Sequence, residues 1–201
     1  VAWLNHGTST VVTTTGGNTV ANTGLEFTDE PRYQTYRTET GFSEDVTSIS
    51  AKYKTAVVAN RMTYIGNIKA ETSVSGGNEI VMGDAMIKSP VNQFDSFPSS
   101  RTLEVTVKDG DEIIHLEEFA DRLLQFKKNK LFIINISQDV EFLEDQLDHK
   151  GVNTSASVAK TDMGVVWANK HGCFLYDGQK VSNLLEKGGR RIINEATWAS
   201  F

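Results

Sequence analysis

The stretch Gly164-Val-Val-Trp-Ala-Asn-Lys-His-Gly-Cys-Phe-Leu-Tyr-Asp-Gly178 sets an apolar run before a polar tip and a second, aromatic-bearing run after it. With glycines at 164 and 172 and no helical period, it reads as a β-hairpin whose return strand turns again at Asp177-Gly178. The phrase occurs twice upstream. Leu123 to Phe126 and Leu131 to Ile133 flank the tip Lys127 to Lys130, and Val57 to Ala59 and Tyr64-Ile65 flank Asn60 to Met62. The second and third tips lie about 42 residues apart and the first and second about 68, one such period plus a long insertion. Hairpins recurring roughly every 40 to 50 residues are the sequence sign of propeller blades, each of four antiparallel strands stacked on the next. The expected fold is all-β: β-propeller blades of antiparallel strands, as a partial propeller or a fragment of one.

Such hairpins need each other for an energetic reason. Burying the four side chains of Leu131 to Ile134 stabilises by roughly 6 to 12 kcal/mol, at about 1.5 to 3 each. Ordering six residues of backbone costs roughly 6 to 12 kcal/mol, so stability must come from stacking against neighbours.

One segment reads two ways. Between Glu112 and Lys127, Ile113, Leu116, Ala120, Leu123 and Leu124 fit a helical stripe as well as they fit strands. The β-rich return run Leu131 to Ile134 and the non-helical sister segment favour strands. If the segment were helical, the chain would instead be an α+β domain.

The blades are expected at about 44–90, 103–150 and 155–201, after a Thr/Gly-rich arm or connector over 1–43. Residues 8–23 hold seven threonines and too little apolar content for a core, which suits an irregular or edge-strand arm. Glu30 to Gly41 reads as a connector and 69–84 as an excursion from the first blade. Leu103 to Val107 alternates as a strand, and Asn92 to Ser100 reads as a loop carrying Phe94 and Phe97. The start without Met and the apolar ending Trp198-Ala-Ser-Phe201 suggest an excerpt of a longer polypeptide or a processed piece.

A length of 201 residues is ample for a core, and a net charge of −6 argues against a nucleic-acid clamp as the main role. No apolar run is long enough to span a bilayer as a helix, so a soluble chain is expected. The single cysteine, Cys173, excludes an internal disulfide and reads as a small half-buried apolar residue.

Candidate chemistry is sparse. His6, His115, His149 and His171 share no short ligand spacing, and His171 reads as a turn residue. Asp109-Gly-Asp111-Glu112 offers calcium-type oxygen ligands but lacks the rest of an EF-hand loop, so a solvated turn is the simpler reading. Glu141, Glu144, Asp145 and Asp148 form an acidic run of the kind that serves glycoside hydrolysis when paired across a pocket. Lys127-Lys128-Asn129-Lys130 and Lys187-Gly-Gly-Arg190-Arg191 are basic clusters expected to keep exposed tips soluble. Asn135-Ile-Ser137 and Asn153-Thr-Ser155 match the glycosylation pattern but carry no weight without an export signal. There is no phosphate-binding glycine motif, and no catalytic residue, metal ligand or cofactor is expected.

Met86-Ile-Lys-Ser-Pro-Val-Asn-Gln-Phe-Asp-Ser-Phe-Pro98, then Val107-Lys-Asp-Gly-Asp-Glu-Ile113 and Arg122-Leu-Leu-Gln-Phe-Lys-Lys-Asn-Lys-Leu-Phe-Ile133, resemble the propeller part of tail proteins of short-tailed bacteriophages, of the nozzle, hub or stabilisation type. Tyr176-Asp-Gly-Gln-Lys180 and the final Trp198 to Phe201 fit the same pattern, so the resemblance covers roughly residues 50–201. It implies a noncatalytic virion protein, made in the bacterial cytoplasm, that forms a homo-oligomeric ring around the DNA exit channel. Its partners would be other tail proteins, with transient contact to phage DNA in the channel. The rival expectation is a glycan-binding or glycan-hydrolysing propeller that uses the acidic loop Glu141 to Asp148.

Overall fold

A computed structural model describes residues 3–6, 10–13, 19–22, 25–28, 32–36, 46–71, 79–106, 110–138 and 140–200. Among them the chain is built of antiparallel sheets, with one short helix. The all-β expectation holds at that level, and each sheet is open.

Four short strands come first: β1 (Trp3–His6), β2 (Thr10–Thr13), β3 (Thr19–Asn22) and β4 (Leu25–Thr28). They pair as nested ladders, β2 with β3 and β1 with β4. The first large sheet contains β5 (Arg32–Tyr36), β6 (Val46–Ala59), β7 (Met62–Glu71), β8 (Glu79–Lys88), β9 (Phe97–Pro98) and β10 (Thr102–Glu104). Its spatial order is β10-β8-β7-β6-β5-β9, and only the β5–β9 pair is parallel.

Three expectations shift here. The connector expected from Glu30 to Gly41 contains β5, which pairs with β6. Much of the excursion expected over 69–84 continues the β7–β8 ladder, with 72–78 outside the described residues. Of the strand expected at Leu103 to Val107, Leu103 and Glu104 lie in β10, which pairs with β8 and so belongs to the first sheet; Val105 and Thr106 are not strand, and Val107 lies outside the described residues.

The second sheet is a meander of β11 (Ile113–Phe119), β12 (Arg122–Lys127), β13 (Lys130–Asn135) and β14 (Phe142–Asp148). The segment that fitted two periods is therefore strand, and the α+β alternative falls. What the period could not show is the turn at Ala120 and Asp121, with φ of 52° and 57°, which folds the run back on itself as a two-residue hairpin. Asn60 and Arg61, at 47° and 62°, do the same between β6 and β7. This corrects the hairpin count. The hairpin at 57–65 is followed by two further antiparallel partners in its own sheet, so it matches β11–β12 and not β12–β13.

The third sheet repeats the meander with β15 (Val158–Thr161), β16 (Gly164–Asn169), β17 (Gly172–Tyr176) and β18 (Val181–Asn183). A short ladder of β19 (Glu186–Lys187) and β20 (Arg190–Arg191) leads to helix α1 (Glu195–Trp198), whose Asn194 side chain accepts the Thr197 N–H as an N-cap.

The three large sheets lie face to face in chain order. Between the first and second, Ala59, Tyr64 and Met86 pack with Ile113, Leu116, Leu123 and Ile134. Between the second and third, Leu124, Phe126, Leu131 and Ile133 pack with Val165, Trp167, Phe174 and Tyr176, and the Phe126 and Trp167 rings meet edge to face at 5.2 Å. The 42-residue period is structural at this interface. Adding it carries Leu123, Phe132 and Ile134, which face the first sheet, onto Val165, Phe174 and Tyr176, which face the second.

In the second and third sheets the middle hairpin is gripped by chain that follows the sheet. Val152 N–H donates to Lys127 O at 2.9 Å, and Trp198 Nε1–H donates to Asn169 O at 2.7 Å. Lys127 and Asn169 are 42 apart. Gly151 makes the first grip possible, since a Cβ there would lie 2.3 Å from Lys127 O.

Candidate functional site

The acidic run from Glu141 to Asp148 is the outer strand β14 with the residue before it, not a loop. Tyr64 on β7 and Lys88 on β8 are register partners in the first sheet, and both reach Glu141 at the edge of the second. Lys88 Nζ donates to the two carboxylate oxygens at 2.5 and 2.6 Å, and Tyr64 Oη–H donates to one of them at 3.0 Å. The Lys88 and Glu141 side chains are only 15% and 9% exposed. Burial, then the Glu141 charge and its hydrogen bond, pushes the Tyr64 phenol far above its ordinary value, so the hydroxyl stays protonated and donates.

Beside this knot opens a cleft of about 220 Å³ lined by Met86, Leu103, Val105, Phe142 and Leu143. Its mouth is apolar, with Phe142 45% and Leu143 43% exposed. Chemically the arrangement ties two sheets together and offers an apolar slot. Both Glu141 oxygens are already engaged by donors.

Two other acidic residues of the run have partners. Glu144 receives Arg122 through two guanidinium nitrogens, the Nη2 contact at 3.1 Å. Asp145 accepts the N–H of Gln146 at 2.8 Å.

At Asp109 to Glu112, Asp109 lies outside the described residues. Asp111 accepts the N–H groups of Lys128 and Asn129 at 3.0 and 2.9 Å, so it caps the β12–β13 tip. A hydrogen bond from Lys128 holds Glu112 below its ordinary range, helped by Asn67 and Lys54. Among the described residues, no group of three or more histidine, cysteine, aspartate or glutamate side chains is placed to hold a metal ion.

The basic tip is not uniformly a solvated one. Lys127 is buried, donates to Thr106 Oγ1 at 2.9 Å and lies 5.3 Å from the Phe132 ring centroid.

The fold assembles a third group that residue spacing did not reveal. At the tip of the third sheet, His171 Nδ1 lies 2.6 Å from Glu195 Oε1, and the His149 ring is 5.0 Å from the His171 ring. Arg191 joins Glu195 at 3.2 Å and donates to His171 O at 2.7 Å. Lys150 stands 3.8 Å over the Phe174 ring, and burial pushes its ammonium pKa down. These groups lock α1 against the tip. No local sequence signal marks this group, because His171 and Glu195 lie 24 residues apart.

Cys173 lies on β17, half-buried, and its thiol pKa is pushed up by burial. No helix among the described residues is long and apolar enough to cross a membrane. Set against protein-family models and against curated proteins, the chain matches none.

Proposed function

We propose that the chain is a noncatalytic structural component of a bacteriophage tail, nozzle- or hub-like, whose stacked sheets are β-propeller blades. It acts by ring assembly and by docking to other tail proteins around the DNA exit channel. The observation that carries this reading is the face-to-face stacking of three sheets, the second and third related by 42 residues and each with its middle hairpin clamped by the chain that follows. Polar groups with catalytic potential serve as struts between elements: Glu141 to Lys88 and Tyr64, Glu144 to Arg122, Asp111 to the hairpin tip. Such a body transmits load, because interiors packed at crystal density pass strain on instead of absorbing it. The engagement of Glu141 and Glu144 weighs against the glycan reading, whose acid and base would need carboxylates free to face a sugar.

The test is localisation. Antibody labelling of purified virions is expected to mark the tail, and light scattering is expected to give a mass that is a multiple of the chain. Absence from the particle would remove the tail assignment. A glycan array and hydrolase panel comparing the wild type with Glu144→Gln/Asp145→Asn is expected to show no activity in either.

A further inference from the structure

The period that relates the second and third sheets also identifies a face of the third sheet that no other described sheet packs against. Leu124, Phe126, Leu131 and Ile133 form the second sheet's face toward the third and are 0 to 5% exposed. Adding 42 takes them to Val166, Ala168, Cys173 and Leu175, which share one face of the third sheet because Val166 pairs with Leu175 and Ala168 with Cys173. All four are only half-buried. Ala159 and Leu184 extend the same face, with Thr161 and Ser182 at its margins, so no charged side chain stands on it although 23% of the chain is charged. A sheet face that meets water normally alternates to polar residues. This one reads as a contact surface.

At the opposite end of the stack, the outer face of the first sheet is covered by its own chain. Ile65, Ile68 and Ile87 pack there with Phe97 from the segment after β8. Near this cover large apolar side chains are exposed: Val91 is 48% and Phe94 47% exposed in the segment between β8 and Phe97, and Val58, on the same face of β6 as the residue paired with Ile65, is 58% exposed.

We propose that the open face of the third sheet docks on a second copy of this chain, head to tail, against the surface carrying Val58, Val91 and Phe94. The inference rests on the assembly part of the function proposed above and names its surface. Three observations select this occupant. The face continues the series of interfaces already formed between sheets one, two and three. It is uncharged on a chain of net charge −6, so two copies meet there without like charges opposed. Its side chains are smaller than their equivalents on the second sheet, Ala168 standing for Phe126 and Cys173 for Leu131, which leaves room for protruding Phe94 and Val91. A contact between unlike faces propagates into a closed ring or a filament.

Cys173, the sole cysteine of the sequence, is a native probe of this face. In the full-length chain, light scattering is expected to show a mass above the monomer, with Cys173 slow to react with a disulfide reagent. Leu175→Glu and, separately, Phe94→Glu are each expected to give monomers, the first with Cys173 exposed. Ala168→Lys, which leaves Leu175 in place, repeats the first test, and circular dichroism verifies that each variant is folded. Mixing the Leu175→Glu and Phe94→Glu proteins is expected to restore one interface and stop at a dimer.

A wild-type monomer with reactive Cys173 would overturn the proposal. So would an oligomer indifferent to Leu175→Glu, which would leave self-assembly standing but through another surface. An oligomer lost with Leu175→Glu and untouched by Phe94→Glu would overturn the head-to-tail pairing. Intact head-to-tail assembly in a protein missing from virions would instead sink the tail assignment and spare this surface.

Discussion

The second and third sheets trace the same meander 42 residues apart, but one is covered on both faces and the other on one. The difference is written in side-chain volume. Where the second sheet turns Phe126 and Leu131 toward a neighbour, the third turns Ala168 and Cys173 outward. It is not written in polarity, because neither outward face carries charge at these positions. A repeat that keeps its pattern while losing bulk marks the place where the occupant changes. Within the chain, stability therefore concentrates around the second sheet.

The largest effect expected from this contrast comes at its centre. Phe126→Ala should lower unfolding free energy by about 3 to 5 kcal/mol, since the ring is fully buried against Trp167 and the site cannot collapse between two sheets. Leu175→Ala, on the open face, should cost about 1 kcal/mol or less in dilute monomer. Urea titration of both variants measures the contrast directly. Equal costs would mean that the third sheet's outer face is as buried as the second sheet's.

The seam between the first and second sheets supplies the next effect. Glu141→Gln leaves Lys88 nearly buried without its counter-charge and should cost about 2 to 3 kcal/mol. The double variant Lys88→Met/Glu141→Leu should recover most of it. Tyr64 adds an alkaline signature. Its folded pKa lies above the ordinary 10.0, so its share of stability is complete below pH 10 and is lost as pH rises through the folded value. Tyr64→Phe should remove that alkaline decline, and a stability profile unchanged by it would separate the phenol from the seam.

Much of this architecture was legible in the residues. The tips at 127–130 and 169–172 and the Asp177-Gly178 turn announced themselves, because glycine and polar tips between β-rich runs leave few alternatives. The turn at Ala120-Asp121 did not. Aspartate takes the left-handed conformation readily but alanine does not, so the conformation at Ala120 is imposed by pairing of Phe119 with Arg122 and by the sheet packed around it. The first hairpin was legible as a hairpin but not as a different member of the meander, since a hydrophobic pattern has period two in either strand pair. The ion pairs of Glu141 and the group around His171 were illegible for another reason. They join residues 53 and 24 apart, and no local signal records a contact that sheet stacking creates.

Gln125 tests the comparison at higher resolution. It occupies, in the second sheet, the position that Trp167 occupies in the third, and both amide atoms are buried without a hydrogen-bond partner. Removing an unpaired buried amide while keeping its length should be favourable, so Gln125→Met should raise stability by about 1 kcal/mol. Calorimetry reads this as a higher Tm. A loss instead would show that the amide holds water or another group at the first interface.

The smallest effect belongs to the tip of the third sheet, where a surface cluster replaces the backbone clamp that Val152 gives the second. A hydrogen bond from His171, then one from Arg191, lowers the Glu195 pKa from its ordinary 4.5. The contribution of that carboxylate is therefore present above pH 4.5 and is lost as pH falls through the folded value. Acid should free α1 before it affects the sheets. The Trp198 indole N–H, donated to Asn169 O, reports the event. Its hydrogen-exchange protection should fall with acid in the wild type and be reduced already at neutral pH in Glu195→Gln, while Val152 N–H stays protected in both. Joint loss of the two signals would mean that the clamps are one cooperative unit, and that the third sheet is no easier to loosen than the second.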